Sequence, residues 1–188
     1  MGKRALDFSR AHPEATPGYT AVLDRLEALL TRAQVLAGQQ QDGFIERRTA
    51  TERKRDLRRT LTDEHLDHLT RVARVAGREF PELPQKFQLG DASTYFAFRT
   101  SARRMAAEAA ANKDALVRHG LSENMLDGLN QTLDLFDGAM DRSASGRQAH
   151  VGASLELEAL GSEVVQVVKV MDGLNRSRFG KDTELLGE

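Results

Sequence analysis

The chain has 188 residues, 40% apolar but only 5% aromatic, with no Trp, no Cys and a formal net charge of −1. The missing Cys excludes disulfides, thiolate zinc sites, iron–sulfur clusters and Cys nucleophiles, and the near-neutral charge excludes a global pull toward nucleic acid or membrane. A core so poor in aromatics is built from Leu, Val, Ala and Met, which suits helix packing, and no apolar run approaches the roughly 20 residues of a membrane span.

The first residues lack the apolar region of a secretion signal, so a cytoplasmic protein without membrane contact is expected. Residues 3–11 predict a short helix closed by His12-Pro13. Thr16-Pro17 reads as an N-cap with Pro at the first helical position, and Val22, Leu26, Leu29, Ala33 and Leu36 recur at helical spacing. From Gly38 to Gly43 the sequence GQQQDG has no apolar residue, which leaves two alternatives: a turn or a helix that runs through. The stripe resumes at Leu57, Leu61, Leu66, Leu69, Val72 or Ala73, and Ala76, and ends before Phe80-Pro81.

Residues 81–94, with Pro84 and Gly90-Asp91, read as a long connection. The next helix, 95–118, carries Phe98, Ala102, Met105, Ala109 and Leu116 on one face and stops at Gly120. Ser122 caps another, with Leu121 and Leu126 placed as a hydrophobic staple and a stripe of Leu126, Leu129, Leu133, Phe136 and Met140. Ser143-Ala-Ser-Gly146 reads as a short connection to a last helix with Leu157, Leu160, Val164, Val167 or Val168, Met171 and Leu174. Its valine-rich stretch 163–170 keeps 3 and 4 spacing rather than alternation, so it is helix and not strand.

The expected fold is all-α, an elongated antiparallel helical bundle with a long N-terminal helix or helical hairpin. It comprises an N-terminal segment 1–15, an arm or hairpin 16–80 and a three-helix portion 95–188, one domain overall. If residues 17–79 were one helix, it would span roughly 95 Å at about 1.5 Å per residue, more than the chain's own shorter helices could cover. Such a helix folds back or finds a partner.

Charge is distributed unevenly: residues 1–60 hold 12 Lys or Arg against 8 Asp or Glu, and residues 61–188 hold 15 against 20. Arg47, Arg48, Lys54, Arg55, Arg58 and Arg59 fall within an arc of about 140° on a helix, beside Ala50, Leu57 and Leu61; only Arg53 leaves it. Guanidinium groups in a row can neutralise phosphates, but no aromatic between Arg47 and Arg59 is available to stack bases. Asp127, Asp134, Asp137 and Asp141 share one side of their helix and form an acidic counterpart, within the chain or on a second copy.

His65 and His68, in Asp63-Glu-His-Leu-Asp-His68, are spaced to present two metal ligands, yet no Glu-x-x-His of a di-iron bundle occurs. Hydrolase, P-loop, dinucleotide and zincin motifs are missing too, so no catalytic residue, metal or cofactor is expected. Leu126-Asp-Gly-Leu-Asn echoes Met171-Asp-Gly-Leu-Asn, and Gly128 and Gly173 are places where another backbone could come close. These readings point to a non-enzymatic structural or interaction protein, a homo-oligomer that self-associates through its N-terminal helical region. The alternatives are nucleic-acid association through 47–59 and, more distantly, a metal- or ligand-binding bundle around His65 and His68.

Overall fold

The computed structural model describes residues 1–90 and 92–180. Asp91 of the expected connection and positions 181–188 of the expected C-terminal portion lie outside the described residues. Every regular element is helical: α1 (Gly2–Ala11), α2 (Pro17–Thr60), a π-helical turn (Leu61–Leu66), α3 (Asp67–Ala76), α4 (Leu83–Lys86), α5 (Tyr95–Ala111), α6 (Lys113–Arg118) and α7 (Glu123–Phe179). The fold is therefore all-α.

One open alternative closes and two sequence expectations change. GQQQDG does not turn, because Tyr19, Val22, Leu26, Leu29, Ala33, Leu36, Gln40, Gly43, Arg47, Ala50, Lys54, Leu57 and Leu61 keep an unbroken 3 and 4 spacing along one helix, with Gly43 itself buried. Residues 143–146 are no connection either: α7 passes straight through them, and the buried positions Ala139, Gly146, Ala153, Leu160 and Val167 recur every seventh residue. The small residues there serve close packing rather than a turn. Finally, the expected helix 95–118 is interrupted at Asn112, whose Nδ2 donates to the Glu108 carbonyl at 2.7 Å, and the connection 81–94 contains the single turn α4.

The chain forms two compact units. The first, Met1–Ile45 with Gly146–Glu188, packs α1 against the early part of α2 and the late part of α7. Leu6, Tyr19, Leu26, Val167 and Met171 form its core, and buried Tyr19 Oη lies 2.8 Å from Ser9 Oγ as its hydrogen-bond partner. Arg25 pairs with Glu163, Arg32 with Glu156 and Gln40 with Ser154, so residue numbers fall on α7 as they rise on α2 and the two helices are antiparallel here. A Cβ added to Gly2 would meet Leu26, Leu30 and Val164 within 4 Å, which places the start of α1 at that level.

The second unit, Glu46–Ser145, is built on a larger core that includes Leu61, Leu69, Phe87, Phe98, Met105, Leu116, Leu129, Leu133 and Phe136. Each such side chain contributes about 1.5–3 kcal/mol on burial. Local chemistry sets the helix ends: Thr94 Oγ1 accepts from the Ala97 amide at 3.0 Å as the N-cap of α5. After α6, Gly120 takes a φ of 103° and the Leu121 amide reaches back to the Leu116 carbonyl at 2.9 Å, a Schellman ending that only a residue tolerant of positive φ adopts cheaply. Leu121 and Leu126 are both buried in the same core, as the staple requires.

Candidate interaction surfaces

The six basic residues of α2 divide. Lys54 lies on the packed seam, four residues after Ala50 and three before Leu57, and its Nζ donates to Ser143 Oγ at 2.9 Å while sitting 4.9 Å from the centroid of the Tyr95 ring. Burial pushes its ammonium below the usual lysine range. Arg58 turns inward as well, donating to the Ala92 carbonyl at 2.6 Å and lying 4.9 Å over the Phe98 ring. Both cations are committed to the unit's own packing.

The other four, Arg47, Arg48, Arg55 and Arg59, remain exposed. Arg48 lies 3.4 Å from Glu52 and Arg55 3.8 Å from Asp56, exposed pairs of little energetic weight. Among the described residues Arg47 and Arg59 have no acidic partner.

The acidic face meets a different set of cations from the one expected. Arg103 Nη2 on α5 lies 2.6 Å from Asp134 Oδ1 and 2.8 Å from Asp137 Oδ2, and Arg99 Nε lies 2.7 Å from Asp137 Oδ1. The Arg99 contact is an ion pair rather than a well-directed hydrogen bond, since that buried oxygen has no partner of good geometry. Hydrogen bonding to Asp134 first, outweighing burial, and then to Asp137 holds the Arg103 guanidinium still more firmly in its charged form. Asp137 is the consequential acid, its side chain 20% exposed against 71% for Asp134. Asp127 and Asp141 stay exposed, without an ion pair among the described residues. The signal missed in the sequence was Arg99 and Arg103, one turn apart on α5, matched to Asp134 and Asp137, three residues apart on α7.

His65 falls in the π-helical turn, a geometry that widens the backbone and often accompanies special side-chain placement. Thr132 Oγ1 donates its one proton to the Gly128 carbonyl at 2.8 Å, so the 3.3 Å contact with His65 Nε2 requires that nitrogen to be the donor. In the neutral ring this leaves Nδ1 bare, and Nδ1 is buried without a hydrogen-bond partner. Burial lowers its pKa, and Glu64 partly opposes this. Among the described residues no three His, Cys, Asp or Glu side chains come together to hold a metal ion, with His68 included. Gly128 would carry a Cβ 3.4 Å from His65 Cε1, whereas Gly173 has nothing within 4 Å, so the two halves of the sequence echo are used differently.

Large apolar side chains left exposed in the first unit include Val165, Val170 and Leu174, the last an expected stripe residue, together with Val35 and four more beyond the reach of α1. Phe44 is 42% exposed, Ile45 50%, Val151 46% and Leu155 63%. They lie off the α2–α7 seam, in the stretch past Leu30 and Val164 that α1 does not reach. The Phe44 ring lies tilted against His150, ring centroids 5.9 Å apart. A shallow groove of about 620 Å³, lined in part by Lys3, Leu30, Ala33, Ala37 and Leu157, opens at the α1 end of this stretch. Isolated exposed apolar residues are ordinary, and these four share one stretch of the helix pair. No described helix is long and apolar enough to cross a membrane. The chain matches no protein-family model, no curated protein and no solved structure.

Proposed function

We propose that this is a non-enzymatic interaction protein that associates with itself through its N-terminal helical region, on the first unit. One observation carries the reading: past the start of α1, α2 and α7 continue as an uncovered antiparallel pair exposing Phe44, Ile45, Val151 and Leu155. An isolated two-helix pair buries only one stripe of each helix, and further apolar surface gains by being covered. The seam's heptad spacing is of the coiled-coil kind, a geometry that readily extends to three or four helices.

The direct test is mass by light scattering across a range of concentrations, for the unmodified chain and for Ile45→Glu. The unmodified chain is expected at a multiple of 20.8 kDa and the variant is expected to dissociate at lower dilution while keeping its helical signal. Equal masses for both would remove Ile45 from the interface, and a monomer throughout would remove the reading.

Nucleic-acid association is a second reading, favoured by the exposure of Arg47 and Arg59 without acidic partners among the described residues. It is weakened by Lys54 and Arg58, which are held within their own unit. It predicts a salt-sensitive affinity for DNA or RNA that falls when Arg47 and Arg59 are replaced by Gln.

A further inference from the structure

Resting on the proposed self-association of the first unit, but moving its contact from the N-terminal helical region to α7, we infer that the partner is a second copy of this chain docked on the outward row Arg147, Val151, Leu155 and Glu158 of α7, antiparallel to its own counterpart. The four residues follow one another at spacings of 4, 4 and 3, so at about 100° per residue they share an arc of about 80° on the side away from α2. All four are exposed. Neither Arg147 nor Glu158 has an ion-pair partner among the described residues.

The order of the row is what selects the occupant. It runs basic, apolar, apolar, acidic, from Arg147 to Glu158, roughly 16 Å of helix at about 1.5 Å per residue. Turned end for end on a two-fold axis near its midpoint, the row is complementary to itself. Arg147 meets the partner's Glu158, Val151 meets the partner's Leu155, and both contacts repeat on the other side of the axis, as an isologous interface requires. A parallel pairing would set Arg147 against Arg147 and Glu158 against Glu158, which like-charge repulsion disfavours.

The opposite flank of α7 in this unit offers no such surface. Its acids Glu156 and Glu163 are already engaged by Arg32 at 2.6 Å and Arg25 at 3.7 Å from α2. On the proposed row the charges are left for another molecule, and the two apolar side chains between them, Val151 and Leu155, are 46% and 63% exposed.

Charge reversal provides a test that separates this inference from the wider reading. In an Arg147→Glu homodimer both polar contacts become acid against acid, and in a Glu158→Arg homodimer both become base against base. Each single variant is expected to dissociate with a constant at least about tenfold higher than the unmodified chain, read by sedimentation equilibrium. An equimolar mixture of the two sets the introduced acid of one chain against the introduced base of the other and keeps the unaltered Arg147 opposite the unaltered Glu158. The double variant restores both contacts within a homodimer, with the charges exchanged. Both are expected to return to within about threefold of the unmodified constant. Circular dichroism confirms that each variant remains helical. Single variants that associate like the unmodified chain, or a mixture no tighter than its components, would overturn the row while leaving self-association elsewhere on the first unit standing. An unmodified chain that stays monomeric would overturn both.

Discussion

Gly43 and His150 bring the α2 and α7 backbones together in the first unit: a Cβ added to Gly43 would sit 2.8 Å from the His150 amide nitrogen and 2.9 Å from the Gly146 carbonyl oxygen. Both obstacles are backbone, which cannot swing aside as a side-chain tip can. Gln40 lies one turn earlier, its carbonyl 3.1 Å from His150 Nδ1 and its Nε2 donating to Ser154 Oγ at 2.7 Å. The apolar lapse at GQQQDG is thus a site of close approach, where small size and hydrogen bonding replace side-chain volume.

Gly43→Ala is accordingly expected to destabilise by about 1–3 kcal/mol through overpacking, although Ala is the better helix former by about 1 kcal/mol. Gly38→Ala, five residues earlier with nothing within 4 Å of its added Cβ, should instead stabilise by up to about 1 kcal/mol. Chemical denaturation of both variants checks the pair. Equal effects would mean that the close approach is absent in solution.

A pH effect follows from His65. Its folded-state pKa is lowered, chiefly by burial, so just below the ordinary imidazole range near 6.5 the unfolded chain takes up a proton that the folded chain refuses. The neutral ring's contribution to stability is complete above that range and is lost as pH falls toward the lowered value. Melting temperature should therefore drop more between pH 7.5 and 5.5 for the unmodified chain than for His65→Gln. The comparison cancels the other histidines. An identical drop for both would place His65 in solvent.

In the second unit, Leu133 and Phe136 are 0% exposed and Asp134 is 71% exposed at its side chain. Leu133→Ala or Phe136→Ala is expected to cost about 2–5 kcal/mol and Asp134→Ala a few tenths. Asp137→Ala should exceed Asp134→Ala, since it leaves Arg99 and half of the Arg103 contact without an acid. Denaturation midpoints rank the four directly.

Much of this architecture was legible because burial follows helical periodicity. Val22 to Leu36, Phe98 to Ala109 and Leu126 to Phe136 present their stripes in sequence as they do in space, and Gly120 announces the end of α6 through its backbone freedom. Ser143-Ala-Ser-Gly146 misled because small residues signal either a turn or a close helix approach. Gly146, buried beside Gly43, is the second case. The Arg99 and Arg103 contacts were hidden for another reason: pairing across helices depends on the rotation of α5 against α7, which neither helix's own sequence fixes. Lys54 carries a sign that is readable in the sequence, since its place between Ala50 and Leu57 puts its stem on the seam whatever its charge. The exposed apolar cluster could not be read at all until the reach of α1 was known.

The most direct measurement of the central claim is the mass of the unmodified chain by light scattering after size exclusion, from low micromolar to high concentration and at two ionic strengths. At least twice the 20.8 kDa of one chain is expected at the upper concentrations, falling toward one chain on dilution or in Leu155→Glu. A constant 20.8 kDa under every condition, with Leu155→Glu indistinguishable from the unmodified chain, would contradict it.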